Sequence, residues 1–233
     1  MRRSGSDLVR FMVTQMKTAR RQVSQFWQAA QKVWQAEAAA VRAPGKTVDP
    51  ELFARCVLAI ARCRGRVLTT GCGTSAAAAR KIAHSLCCIE RPAAFLAPGD
   101  ALHGGLGLVQ RGDIVIVISK GGNTRELVAM LPGLKAKHAL VIGVTESADS
   151  AVGQAADLLL RVKVKREPDR FNMLATASTL AVVAVFDAIC IALIQLTGYT
   201  REKFAVIHPG GAVGQRLLGG KARLKPKSSR PIT

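Results

Sequence analysis

The stretch Asp113-Ile-Val-Ile-Val-Ile-Ser119-Lys-Gly-Gly-Asn-Thr124-Arg-Glu126 restricts the fold more than any other part of the chain. Ile114 to Ile118 are all β-branched and apolar, the pattern of a strand buried on both faces. Gly121-Gly122 breaks the run just before an apolar-periodic segment, so the stretch predicts strand, tight loop, helix. Ser119 and Thr124 offer hydroxyls, the glycines let backbone N–H groups turn toward one point, and the new helix adds its positive end. Such a loop can hold an anion, most simply a phosphate. An ordinary βα turn whose hydroxyls cap the helix fits the same residues.

Arg66-Val-Leu-Thr-Thr70 predicts an earlier strand, which turns at Gly71-Cys-Gly73-Thr74-Ser75 into an Ala-rich helix reaching Cys88. This second loop is not a dinucleotide fingerprint. Its third glycine position falls on Ala76, and no acid stands near twenty residues on at a strand end. Ala93–Leu96, Asp113–Ile118, Ala139–Val144 and Leu158–Val162 supply the second to fifth strands, with helices between them. Alternation of this length implies an α/β fold: a doubly wound, five-stranded parallel sheet with right-handed crossovers. Ligands of such sheets bind at the carboxyl ends of the strands, where both Gly loops lie.

At 233 residues the chain suits one sizeable core with appendages. Met12, Met16, Ala19, Val23, Phe26, Ala30 and Val33 recur on one face of a long N-terminal helix, expected to pack on the core or on a partner subunit. Residues 1–46 therefore read as a helical extension. Asp49-Pro50-Glu51 then supplies a cap, a first-position proline and a first-turn acid for a helix running to about Cys63. Leu174–Leu196 is apolar enough to span a bilayer, but Thr176, Ser178, Thr179 and Asp187 within it favour a buried core or interface helix. After His208-Pro-Gly-Gly-Ala-Val-Gly214 a last short helix is expected. The core domain thus covers 47–218, and 219–233 reads as a basic disordered tail.

The net charge of +19 raises nucleic acid as a partner, but its distribution argues against specific recognition. Nine Lys/Arg fall in residues 1–46 and six in 216–233, which leaves a core with no aromatic-interleaved basic stripe. The six cysteines lie in or beside apolar segments and no pair has zinc-ligand spacing, so they read as small buried residues in a reducing compartment. No secretory apolar run follows Arg2-Arg3. A cytoplasmic location is expected, with no metal and no membrane span.

Gly71-Cys-Gly-Thr-Ser75, His103-Gly-Gly-Leu-Gly107, Ser119 through Glu126, Asp149 through Asp157, Ala175-Thr-Ala-Ser-Thr179 and His208-Pro-Gly-Gly-Ala212 follow one another in a familiar order. Together they resemble the sugar isomerase (SIS) domain, and within it the arabinose-5-phosphate isomerase branch, over roughly residues 20–218. Members of that branch often carry C-terminal CBS modules, which are not expected here. The resemblance implies homodimers or homotetramers with sites at subunit contacts, acting on a phosphorylated sugar without a cofactor. It places Ser75, Ser119 and Thr124 against phosphate and sugar, and His103, Glu126, Glu167 and His208 in the acid–base and substrate-positioning set; Thr74, Ser178 and Thr179 are further candidates for substrate contact. Three positions depart from the branch pattern: Thr74 stands for a Lys, Gly121 for a Ser and Gly105 for an Asp.

Aldose–ketose interconversion needs a base for a carbon-bound proton, an acid for the carbonyl oxygen and an anchor on the distant phosphate. His208 offers an imidazole for proton transfer, and Glu126 or Glu167 can act as base when partly desolvated. Each also has an ordinary reading, such as Glu126 favouring the helix dipole or the histidines bonded to backbone. Lys120 either points to solvent, as βα-loop lysines do, or replaces part of the charge missing at Thr74. A non-catalytic sugar-phosphate-binding module is the alternative function. Residues 1–46 lack the short Gly turn of a helix-turn-helix, which a regulator would carry.

Overall fold

A computed structural model describes residues 5–210. The expected last short helix and the tail 219–233 lie outside the described residues, as does most of the motif that follows His208. Five strands form the sheet: β1 (Val67–Gly71), β2 (Ala93–Phe95), β3 (Ile114–Ile118), β4 (Leu140–Thr145) and β5 (Leu158–Arg161). All neighbours are parallel, in the order β2-β1-β3-β4-β5. The expected strands are all present, with ends shifted by at most one residue. Gly71 extends β1 because it still pairs with Ile118.

Ile114, Ile116 and Ile118 of β3 enter one core, and Val115 and Val117 the other, so every residue of that strand is buried. The first core is covered by α1 (Gly5–Arg42), α3 (Pro50–Arg62), α4 (Thr74–Cys87) and α8 (Ala177–Thr197), with the short α2 (Pro44–Thr47) between α1 and α3. The second lies under α5 (Pro98–Leu102), α6 (Arg125–Ala136) and α7 (Ala151–Ala155). A turn of 3-10 helix, Gly105–Leu108, leads from α5 toward β3, and α9 (Arg201–Ile207) follows α8. The chain leaves β1 through α4 on one face and β3 through α6 on the other. Their loops therefore diverge, and a crevice opens between them at the carboxyl edge.

Local chemistry sets the element ends. The Asp49 carboxylate accepts the Glu51 and Leu52 N–H groups at 2.8 and 3.2 Å and so starts α3 as the sequence predicts. α8 is long and apolar enough to cross a membrane, but half of its apolar window is buried in the domain. Its Asp187 is paired with Lys81 of α4.

On α1, Ala40 near the C-terminal end is buried, while Met16, Val23 and Phe26 are exposed in the single chain, on the face for which the sequence reading allows the core or a partner subunit as cover. A helix this long outruns the core it packs on, since 38 residues span about 57 Å. The expectation of buried cysteines needs correction: Cys56 and Cys190 are buried, but Cys87 is exposed, on the outer side of a chain segment that buries Leu86 and Ile89.

Candidate active site

The β1 loop turns into α4 without a side-chain cap, which leaves the first amides of the helix, at Thr74 and Ser75, facing outward. Gly71 is required here: a Cβ would lie 2.9 Å from the carbonyl carbon of Ser75. The β3 loop is built more tightly. Gly122 has φ +73°, and a Cβ there would run into Ser150. Its N–H is donated to Ser119 Oγ at 3.1 Å, and Ser119 Oγ lies 2.8 Å from Thr124 Oγ1. Thr124 does not cap α6 through its side chain. The two hydroxyls bond each other, and Ser119 is only 3% exposed.

A small cleft opens between these loops and the start of α8. Thr74, Ser75, Lys120, Thr145, Ser178 and Thr179 supply its polar wall, and Ile118, Val144, Val162 and Val182 its apolar floor. Ser119 and Thr124 are not among the residues lining it; their hydroxyls bond each other, which uses one of the two O–H protons. Thr179 also spends its hydroxyl internally, donating to Ala175 O at 3.1 Å. Thr145, which the sequence reading missed, donates to Lys120 O at 2.9 Å and fixes the backbone of that loop. A polar residue ending an apolar strand at the carboxyl edge was the available signal.

Lys120 does not simply point to solvent. Its Nζ is 2.7 Å from Glu167 Oε1. Glu167 is fully buried, its Oε2 accepts the Thr176 and Ser178 N–H groups at 3.0 and 3.4 Å, and its own N–H is donated to Asn172 Oδ1 at 2.6 Å. Burial pushes the carboxyl up, but hydrogen bonds from Lys120, Ser178 and the Thr176 amide, with the lysine charge, outweigh it and hold the group below its ordinary range. A carboxylate so engaged at both oxygens is a poor acceptor for a substrate proton.

The four expected acid–base residues do not meet within one chain. Glu126 is exposed in the first turn of α6 and faces Cys72, whose thiol is pushed up by burial and then by the Glu126 charge. His103 is exposed at the end of α5. His208 packs at the far end of α4: its Nε2 is 3.3 Å from Cys88 Sγ, its Nδ1 2.9 Å from Phe204 O, and its ring stacks on Phe204. The 14 residues of α4 separate Cys88 from Thr74 by about 20 Å. Among the described residues, no three His, Cys, Asp or Glu side chains converge in a way that could hold a metal ion.

Fold and cleft together define an α/β domain with a polar-walled crevice at the switch point of a parallel sheet. Residues 60–206 match the SIS domain, and the chain belongs to that family. It is 37% identical over 193 residues to arabinose 5-phosphate isomerase KdsD of Yersinia pestis, an alignment that covers 83% of this chain and 58% of that protein. The chain spans about half the length of the curated relatives it matches. A putative sugar-phosphate isomerase from Listeria monocytogenes superposes with TM-score 0.78 at 49% identity, covering 79% of this chain and 97% of the other. An Escherichia coli CFT073 protein solved in complex with arabinose 5-phosphate gives 0.76 at 32% identity, with 80% and 98% covered.

Proposed function

We propose that the chain is a cytoplasmic, homo-oligomeric sugar-phosphate isomerase of the arabinose-5-phosphate/ribulose-5-phosphate type. The observation that carries this reading is the cleft itself, where the uncapped start of α4 at Thr74 and Ser75 and the ammonium of Lys120 line one small space. The phosphate anchors there, and the sugar extends toward Glu126.

Glu126 takes the proton from C2 of the aldose while an acid protonates the carbonyl oxygen at C1, giving an enediol. Return of a proton to C1 and loss of the O2 proton complete the ketose. No metal takes part. His208, remote from its own chain's cleft, acts in the cleft of a neighbouring copy as the acid, and the exposed His103 likewise reaches across a subunit contact to position substrate. Phosphate binding supplies the orientation that makes these transfers efficient.

The test is incubation with pentose and hexose phosphates in deuterated water. Deuterium is expected at C1 or C2 of a pentose phosphate, and Glu126→Gln is expected to slow its incorporation by about a hundredfold. Sugar-phosphate binding without deuterium uptake would instead make the chain a binding module.

A further inference from the structure

The two members of the Lys120–Glu167 pair have unequal surroundings. Glu167 is fully buried, whereas 37% of the Lys120 side chain is exposed at the cleft wall. Behind the carboxylate stands the start of α8, whose Thr176 and Ser178 amides bond Oε2. The positive end of that 21-residue helix balances the carboxylate from one side. From the other side Oε1 takes one proton of the Lys120 ammonium. An ammonium carries three protons, and the described residues offer no acceptor for the remaining two.

The consequence is electrostatic and entropic together. A carboxylate neutralised from behind leaves net positive charge on the cleft side of the lysine. The same bond holds a four-carbon stem that would otherwise lose rotamer freedom on binding an anion. Thr145 fixes the lysine at its backbone, donating to Lys120 O. Both ends of Lys120 are thus held, and its free protons face the space shared with Thr74 and Ser75.

We propose that Lys120 is the cation that receives the phosphate dianion, and that Glu167 is a positioning residue that aims it and takes no part in proton transfer. The inference rests on the sugar-phosphate reading above and assigns Glu167 a different task from the acid–base role its motif position implies.

Three variants test it. Lys120→Met keeps most of the stem and loses the charge; calorimetry with arabinose 5-phosphate and with inorganic phosphate is expected to give a Kd about 30-fold higher. Glu167→Gln is expected to raise KM about tenfold and leave kcat within about threefold, because aim is lost and not a proton carrier. The double variant is expected to bind no more weakly than Lys120→Met, since Glu167 acts through Lys120. A merely structural Glu167 would lower thermal stability without this division between KM and kcat, and its effect would add to that of Lys120→Met.

The proposal is overturned by a fall in kcat of about a hundredfold in Glu167→Gln with KM unchanged, or by wild-type phosphate affinity in Lys120→Met. If Glu167→Gln does not fold, Lys120→Met decides alone. A wild-type chain that binds no sugar phosphate removes the isomerase reading, an outcome separate from a Lys120→Met variant that matches a binding-competent wild type.

Discussion

Replacing Gly122 with alanine is expected to destabilise the domain by about 2–4 kcal/mol, and the structure lets the figure be built from parts. Gly122 holds φ +73°, a conformation that costs an alanine about 1–2 kcal/mol. The added Cβ would also run into Ser150 and sit 2.9 Å from Thr145 Oγ1. Ser150 cannot move freely: its hydroxyl donates to Ser147 O at 2.7 Å and accepts the Gly153 N–H at 3.2 Å as the cap of α7. Displacing that cap costs about 1 kcal/mol more, and the Gly122 bonds to Ser119 Oγ and from Val152 N weaken with it. Urea unfolding measures the total. Gly121→Ala is the control, because its Cβ meets nothing within 4 Å and its φ is not positive, and a change of about 0.5 kcal/mol or less is expected. If Gly122→Ala is as stable as Gly121→Ala, the account of this loop as glycine-dependent is wrong.

Two further outcomes follow from the site. Mixing Glu126→Gln chains with His208→Asn chains, after dissociation and reassembly, is expected to restore roughly a quarter of wild-type activity if sites pair residues across a two-fold contact; failure to restore any places His208 outside the partner's site. For Glu167, a folded carboxyl held below its ordinary range binds fewer protons than the unfolded one, so its contribution to stability is complete above about pH 4.3 and is lost as pH falls through the folded value. Denaturant midpoints of wild type and Glu167→Gln should therefore converge on acidification from pH 7, and a gap that widens would contradict the direction of the shift.

What was legible in the sequence was whatever depends on neighbours along the chain. The run Ile114–Ile118 announces a strand buried on both faces, and the sheet bears this out residue by residue. Asp49 announces the start of α3 for the same reason, since a cap lies within three residues of the amides it serves. The Lys120–Glu167 bond joins residues 47 apart and forms only because the segment after β5 folds back over the β3 loop, so no local pattern could reveal it. The hydroxyls of this loop point in the sequence to anion donors, and in the structure one of the two, from Ser119 or Thr124, donates to the other. Hydroxyl count reads off a sequence, whereas hydroxyl direction depends on which groups the folded loop brings within reach, here the Gly122 amide.

The distribution of Glu126 and His208 carries the same point into assembly. A motif match assigns each residue to a kind of site without saying which copy of the chain supplies it. The structure adds the missing term through the length of α4: its first turn lines the cleft, and its last residues, with Cys88, hold His208 by the imidazole Nε2. A helix of 14 residues cannot bring its two ends to one reacting carbon. If both residues act on one sugar, they therefore act from different chains, and isomerase activity should fall with dilution at protein concentrations where the oligomer dissociates.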